Sequence, residues 1–313
     1  MIWLLTTVQQ GLLFLATVLF VGCVSWRVMV APGAHAILEH VDAGLGSTER
    51  SVVRWARTSV LALTLAWVLR MIVQVMAFRD PFAPLRDDVS LLLFQTVWGD
   101  VWMAQGLVVF ALLGAFWIPG VRHLEQADSP GGLRVTPAWW AITIVAVALA
   151  TTLSMSGHAI GAESWRTVAV AADVLHTLAA GGWIGTLAVI LLSVHPADTN
   201  ASSPIVFGAQ IERFSPIALA SAGTLVVMGA GLSWTHLTAV SDLWTTGYGR
   251  ILGAKVMTVL LIMGLGFKNW QEGVPLSDTP EGVQAIRRRG AWEVGFAAVV
   301  ILLTAILVHS PKP

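Results

Sequence analysis

Four of the eight histidines in this chain have positions that suit a shared binding site. His176 lies inside an apolar stretch, and three others close further apolar stretches, namely His158, His236 and His309. If each stretch crosses a membrane as a helix, four imidazoles from four helices lie towards one membrane face, with His176 about two turns inside it. Imidazole suits copper and haem iron, so the predicted chemistry is the binding of a metal or of haem.

Two further side chains are expected at this site. Met155 precedes His158 by three residues, so both project from one helix face, and a thioether sulfur suits reduced copper. Asp173 lies one helical turn before His176, where its carboxylate can accept the second ring N–H and fix the imidazole tautomer. We expect His158 and His176 to be the central pair, since a short connection joins their helices.

The remaining histidines belong to the opposite membrane face. They fall in or beside the loops there and are interpreted as solvated residues: His35, His40, His123 and His195.

The elements that position these residues are membrane spans. Apolar residues make up 56% of the 313 positions and charged residues 12%, with a mean hydropathy of +0.75. A soluble domain carries about 25% charged residues, so lipid must be the solvent. We predict an all-α integral membrane protein with eight transmembrane helices. The apolar stretches run at about 3–26, 56–78, 96–118, 137–157, 168–194, 214–236, 250–270 and 291–309.

Several classes of function are disfavoured by the same composition. The formal net charge is zero, so nothing indicates a nucleic-acid partner. The single cysteine, Cys23, allows neither an internal disulfide nor a thiolate cluster. The first apolar stretch lacks a basic residue before it and is too long for a signal peptide, so it is interpreted as a retained span. The chain has no nucleotide-binding loop, which argues against a primary pump.

The basic residues give an expected orientation. The loops after spans one, three, five and seven, with their flanks, hold 11 basic residues, whereas the other side holds 7. The positive-inside rule then places both termini outside the cytoplasm. Within the spans we expect opposite charges to neutralise each other: Asp100 with Arg70, and Glu293 with Lys268 or Arg289.

A weak internal repeat joins the two halves of the chain. Thr96-Val-Trp-Gly99 is echoed by Thr246-Gly-Tyr-Gly249 at an offset of 150 residues, where Gln105 falls on Lys255, and His158 falls near His309. Four spans per unit is an even number, so two such four-helix repeats would lie parallel in the membrane.

Longer segments resemble the CopD family of copper-resistance membrane proteins. The resemblance is strongest from residue 150 onward, loose over 1–136, and divides the single membrane domain into an N-terminal region (spans one to three) and a CopD-like core at 137–313. Members often carry a first-span histidine, where this chain has Gln9 and Gln10. The matching segments are SGHA at 156–159, DVLHTLAAGGWIGTLAVI at 173–190, RFSPIALASAGTLVVMGAGL at 213–232, YGRILGAKVMTVLLIMGLG at 248–266, WGDVWMAQGLVVF at 98–110 and the closing span.

The resemblance implies a copper-handling, non-enzymatic protein of the bacterial inner membrane. It would accept copper from a periplasmic carrier of the CopC type and move it across the lipid bilayer, with the glycines at 181, 182 and 185 letting helices approach closely. A second reading uses the same histidines as axial ligands of haem b in a membrane redox protein. A third is an assembly partner that docks a copper chaperone without transporting the metal.

Overall fold

Eight long helices make up the architecture. The computed structural model describes residues 2–39, 45–117, 135–156, 165–193, 203–234 and 239–310. Within these ranges every regular element is helical, and eight helices are long and apolar enough to cross a membrane. They are α1 (Ile2–Leu38), α2 (Gly46–Phe78), α3 (Val97–Trp117), α4 (Pro137–Met155), α5 (Arg166–Ser193), α6 (Ser203–Trp234), α7 (Gly247–Leu276) and α8 (Pro280–Leu307). The predicted fold class is confirmed.

Five helices extend beyond the predicted apolar stretches at one face of the protein. We call this face the loop face. The opposite face, where α1 begins and α8 ends, is called the terminal face. At the loop face α1 continues to Leu38 through a π-helical turn at Trp26–Val30. Hydropathy reports only the part of a helix that lies in hydrocarbon, so polar turns that project beyond it escape such a prediction. The projecting turns are held together there, for example by the buried ion pair of Arg27 with Glu49 at 2.8 Å.

α1 and α5 cross closely at the centre of the bundle. Side chains on three glycines at the crossing would overlap the other helix: one on Gly22 would meet the backbone of Gly185, one on Gly185 the Val18 carbonyl, and one on Gly181 the Val21 side chain. The close approach that Gly181 and Gly185 were expected to allow is therefore present, and α1 is its partner.

The helix packing repeats after a shift of four helices. α1 packs on α2 as α5 packs on α6, and α3 packs on α4 as α7 packs on α8. Likewise, α4 lies against α5 and α8 against α1. The two four-helix units therefore share most of their helix contacts, as the weak sequence repeat suggested.

The sequence echo at Thr96 and Thr246 is a helix start. In both places the threonine hydroxyl accepts a hydrogen bond from the glycine N–H three residues later, at 3.1 Å for Gly99 and 2.9 Å for Gly249. Thr279 and Gly282 make the same contact, at 3.1 Å, at the start of α8. Since α8 is not the repeat equivalent of α3 or α7, the motif itself is local capping, and the helix packing carries the evidence for the repeat.

Candidate functional site

A cavity of about 480 Å³ opens in the half of the bundle next to the terminal face. We call it the histidine cavity, because His176 of α5 and His309 after α8 both line it. All eight helices or their ends contribute to its wall. A concave site with a few convergent polar groups is the usual form of a small-ligand site. Its polar lining includes Thr6, Gln9, Gln10, Arg70, Gln74, Asp173, Thr177, Ser233, Tyr248, Lys255 and Thr304.

His176 has an unsatisfied nitrogen in this cavity. Its Nδ1 is buried and has no hydrogen-bond partner, while the ring interacts with the backbone carbonyl of Leu225. Gly229 of α6 makes room for the ring, since a Cβ there would lie 3.3 Å from the imidazole Cε1. Buried polar atoms normally have a partner, so a nitrogen left without one is suited to a ligand. An unprotonated imidazole nitrogen can bind a metal ion through its lone pair.

His309 lines the same cavity from the C-terminal end of the described chain, after α8. It lies two residues beyond the end of α8 at Leu307, and its Nδ1 lies 2.9 Å from the Ala305 carbonyl oxygen. If this nitrogen carries the proton, the ring donates from Nδ1 and keeps Nε2 as an acceptor for a ligand. The structure therefore brings two of the four predicted histidines to one space.

The other predicted ligands have different outcomes. His158 and His236 lie outside the described residues, so their positions stay predictions. Met155, at the end of α4, is 44% exposed and is not part of the cavity lining. Among the residues the structure describes, no group of three or more His, Cys, Asp or Glu side chains has the spacing of a metal site.

Asp173 lies in the cavity wall together with Lys255 of α7. The Asp173 carboxylate and the Lys255 ammonium interact electrostatically. The Lys255 ammonium also interacts electrostatically with His176. The Nδ1 of His176 receives no hydrogen bond. The role of Asp173 in orienting His176 therefore stays a prediction, with Lys255 as a further charge in the same space.

Arg70 and the two glutamines of α1 are cavity residues that the sequence reasoning did not assign. Arg70 was expected to pair with Asp100, but it donates to the Gln105 side chain at 3.1 Å and lies over the Trp98 ring at 5.7 Å, while Asp100 is exposed. Helix rotation places Asp100 away from the bundle. The sequence does carry a signal for these residues, because a polar side chain within an apolar span usually faces the bundle interior.

The bundle and its cavity define a multi-pass, all-α membrane protein with a polar chamber inside its terminal half. The "Copper resistance protein D" (CopD) family model matches residues 208–307. The chain is 26% identical to the copper transport protein CutJ of Bacillus subtilis over 98% of its own length and 53% of that protein, so it spans about half of this relative. It is 27% identical to copper resistance protein D of Pseudomonas syringae pv. tomato over 65% of its length and 70% of that protein. These matches support the predicted resemblance to the CopD family. No solved structure matches the chain.

Proposed function

We propose that the protein binds copper in the histidine cavity and moves it across the membrane, in the service of copper resistance or homeostasis. The observation that carries the proposal is the buried, unpartnered Nδ1 of His176 in a cavity that His309 also lines. The names of the two relatives, a copper transport protein and a copper resistance protein, supply the cargo. Transport, not a catalysed reaction, is the proposed activity.

The donor set fits copper as a cargo. Imidazole nitrogen suits both common oxidation states of copper, and the described part of the cavity offers it from His176 and His309. His158 and His236 are proposed as further ligands, and Asp173 as the carboxylate that tunes His176. Met155 is proposed as a soft ligand for reduced copper that lies outside the cavity lining, at the end of α4. Two imidazoles bind a metal less tightly than a closed structural site with four ligands, which suits a cargo that must be released.

The proposed location is the bacterial inner membrane, with the terminal face on the periplasmic side. The excess of basic residues at the loop face supports this orientation. Reporter fusions at the C-terminal end and within 195–202 should report opposite sides, with the C-terminal reporter in the periplasm. The reverse result would place the histidine cavity on the cytoplasmic side and make it an exit site.

A periplasmic copper carrier of the CopC type is the proposed donor. The cavity lies in the half of the bundle next to the terminal face, so a carrier docked there would have a short path to His309 and His176. This partner rests on the family resemblance and on the cavity position together.

Metal analysis and an absorption spectrum of the purified protein test the proposal. We expect stoichiometric copper after loading and no Soret band. A Soret band in protein that holds no copper would overturn the proposal in favour of the haem b reading, with His176 as an axial ligand. Protein that binds neither copper nor haem would leave only the assembly-partner reading.

A further inference from the structure

A second, smaller chamber lies between the histidine cavity and the loop face, in the loop half of the bundle. It has a volume of about 180 Å³ and is lined by residues of α5, α6, α7 and α8. Its lining is mostly apolar and aromatic, and includes Trp183, Phe214, Met263, Trp270 and Ile286. We call it the apolar chamber. One ionisable side chain lines it, Glu293 of α8.

Glu293 is a buried carboxyl group held by a neutral partner. Its exposure is 2%, and its Oε1 accepts a hydrogen bond from the Asn269 side-chain amide at 2.6 Å. The pairing expected from the sequence, with Lys268 or Arg289, is wrong. Both cations form ion pairs with Glu272 instead, Lys268 at 3.8 Å and Arg289 at 2.7 Å. Among the described residues, Glu293 therefore has no cationic partner.

Among the residues that the structure describes, no other charged side chain lines the chamber around Glu293. The chamber residues of α5 and α6 are apolar apart from Ser215, and α7 contributes the amide of Asn269. Gly266 of α7 leaves space beside the second oxygen, since a Cβ there would lie 3.4 Å from Oε2 of Glu293. The carboxyl group thus has an open side towards the chamber.

The two chambers follow one another along the same helices. On α5, His176 lines the histidine cavity and Trp183 lines the apolar chamber. On α8, Val300 lines the histidine cavity and Glu293 lines the apolar chamber. Seven residues separate the members of each pair, which is about 10 Å along a helix. Trp183 stands beside the lower chamber, where its ring would lie 3.4 Å from a Cβ on Gly266. In the direction from the histidine cavity to the loop face, the apolar chamber with Glu293 therefore comes next along α5 and α8.

We propose that Glu293 is a proton-binding site, and that its proton exchanges as copper passes through the bundle. An unpaired carboxylate buried among apolar side chains is costly, and a proton neutralises it without any further ligand. The carboxylate takes a proton from water at one face and returns it to water at the other. No electron moves, and the only bond made and broken is O–H. The coupling to copper rests on the proposed function, whereas the proton site does not.

Infrared difference spectroscopy tests the proton site directly. Wild-type protein in lipid nanodiscs should show a carboxylic-acid carbonyl band that appears and disappears on pH change. Glu293→Gln should lack this band, and it keeps the hydrogen bond from Asn269 because an amide oxygen also accepts. Glu281→Gln, on an exposed residue of the same helix, is the matched control and should retain the band. A band that persists unchanged in Glu293→Gln, or one that is absent from the wild type, would overturn the proposal.

Proteoliposomes with a trapped pH dye test the coupling. Copper entry into wild-type and Glu281→Gln vesicles should move protons, and Glu293→Gln should reduce this movement at least tenfold while keeping its copper stoichiometry. Copper entry with unchanged proton movement in Glu293→Gln overturns the coupling. If the wild type moves no copper at all, the transport function fails, and the infrared result still decides whether Glu293 binds a proton.

Discussion

The two four-helix units pack alike but differ at one helix–helix interface. We call this interface the seam: it joins α2 and α3 in the first unit, and α6 and α7 in the second. In the first unit α2 and α3 are closed against each other: the rings of Trp67 and Trp102 stack at 4.2 Å, and each indole N–H donates to the other residue's carbonyl, at 2.9 Å and 3.1 Å. At the repeat offset the equivalent residues of the second unit are Ile217 and Leu252. There α6 packs on α7 mainly through the last turn of α7, at 274–276.

The open seam accompanies both chambers. α6 and α7 line the histidine cavity and the apolar chamber, and Leu252 itself belongs to the cavity wall. The family match at 208–307 falls on this same unit. The difference indicates a division of labour in which the first unit is the more closely packed support and the second unit carries the two histidines described in the cavity, His176 and His309.

The crossing of α1 and α5 joins the two units, and its disruption should have the largest effect. Gly185→Ala would place a Cβ on the Val18 carbonyl, so the helices must separate along their length. Overpacking usually costs about 1–3 kcal/mol, and contact with backbone leaves little room for relaxation. We expect little folded protein by size-exclusion chromatography. Gly223→Ala, where a Cβ meets open space, should behave as the wild type; equal behaviour of both variants would refute the tight crossing.

The closed seam of the first unit should matter for stability and not for copper. Trp67→Leu removes the ring stack and the indole hydrogen bond that Trp67 donates to the Trp102 carbonyl, which together are worth about 2 kcal/mol. Ile217→Leu at the equivalent position conserves volume and should cost less than about 1 kcal/mol. Thermal unfolding should separate the two variants, and both should bind copper at the wild-type ratio. Loss of copper in folded Trp67→Leu would break the proposed division of labour.

Asp173→Asn sharpens the role of the second unit. Removal of this charge from the histidine cavity should weaken copper binding by about 10–100-fold, as loss of a carboxylate behind a metal-bound imidazole generally does. Competition titration against a copper chelator measures the change. Unaltered affinity would mean that Asp173 serves Lys255 alone and leaves His176 unaffected.

The smallest effect is expected at the loop face. His35 lies 3.4 Å from Glu39 on the projecting end of α1, across a hydrocarbon core of about 30 Å from the terminal face. His35→Ala should leave the copper ratio unchanged, and the same is predicted for His40 and His123. A loss of copper in any of the three variants would show that the site lies elsewhere.

The fold was largely predictable, whereas the partners of polar side chains were not. Eight spans follow from hydropathy, because each must supply about 20 apolar residues. The rotation of each helix about its own axis is not set by hydropathy in so apolar a chain. For this reason Arg70 was matched with Asp100 and Glu293 with Lys268 or Arg289, while their partners are Gln105 and Asn269. The structure places His176 in the cavity wall, as a polar ring inside a span usually faces the bundle interior, and its role as a ligand stays a prediction.

The most direct test of the account is the copper content of folded His176→Ala protein. His176 supplies the unpartnered nitrogen on which the site depends, so the variant should lose most of its bound copper while its thermal unfolding and elution match the wild type. His309→Ala, at the rim of the same cavity, should lose less. A folded His176→Ala protein that keeps the full wild-type copper ratio would contradict the account, and His176 would then have only a structural role.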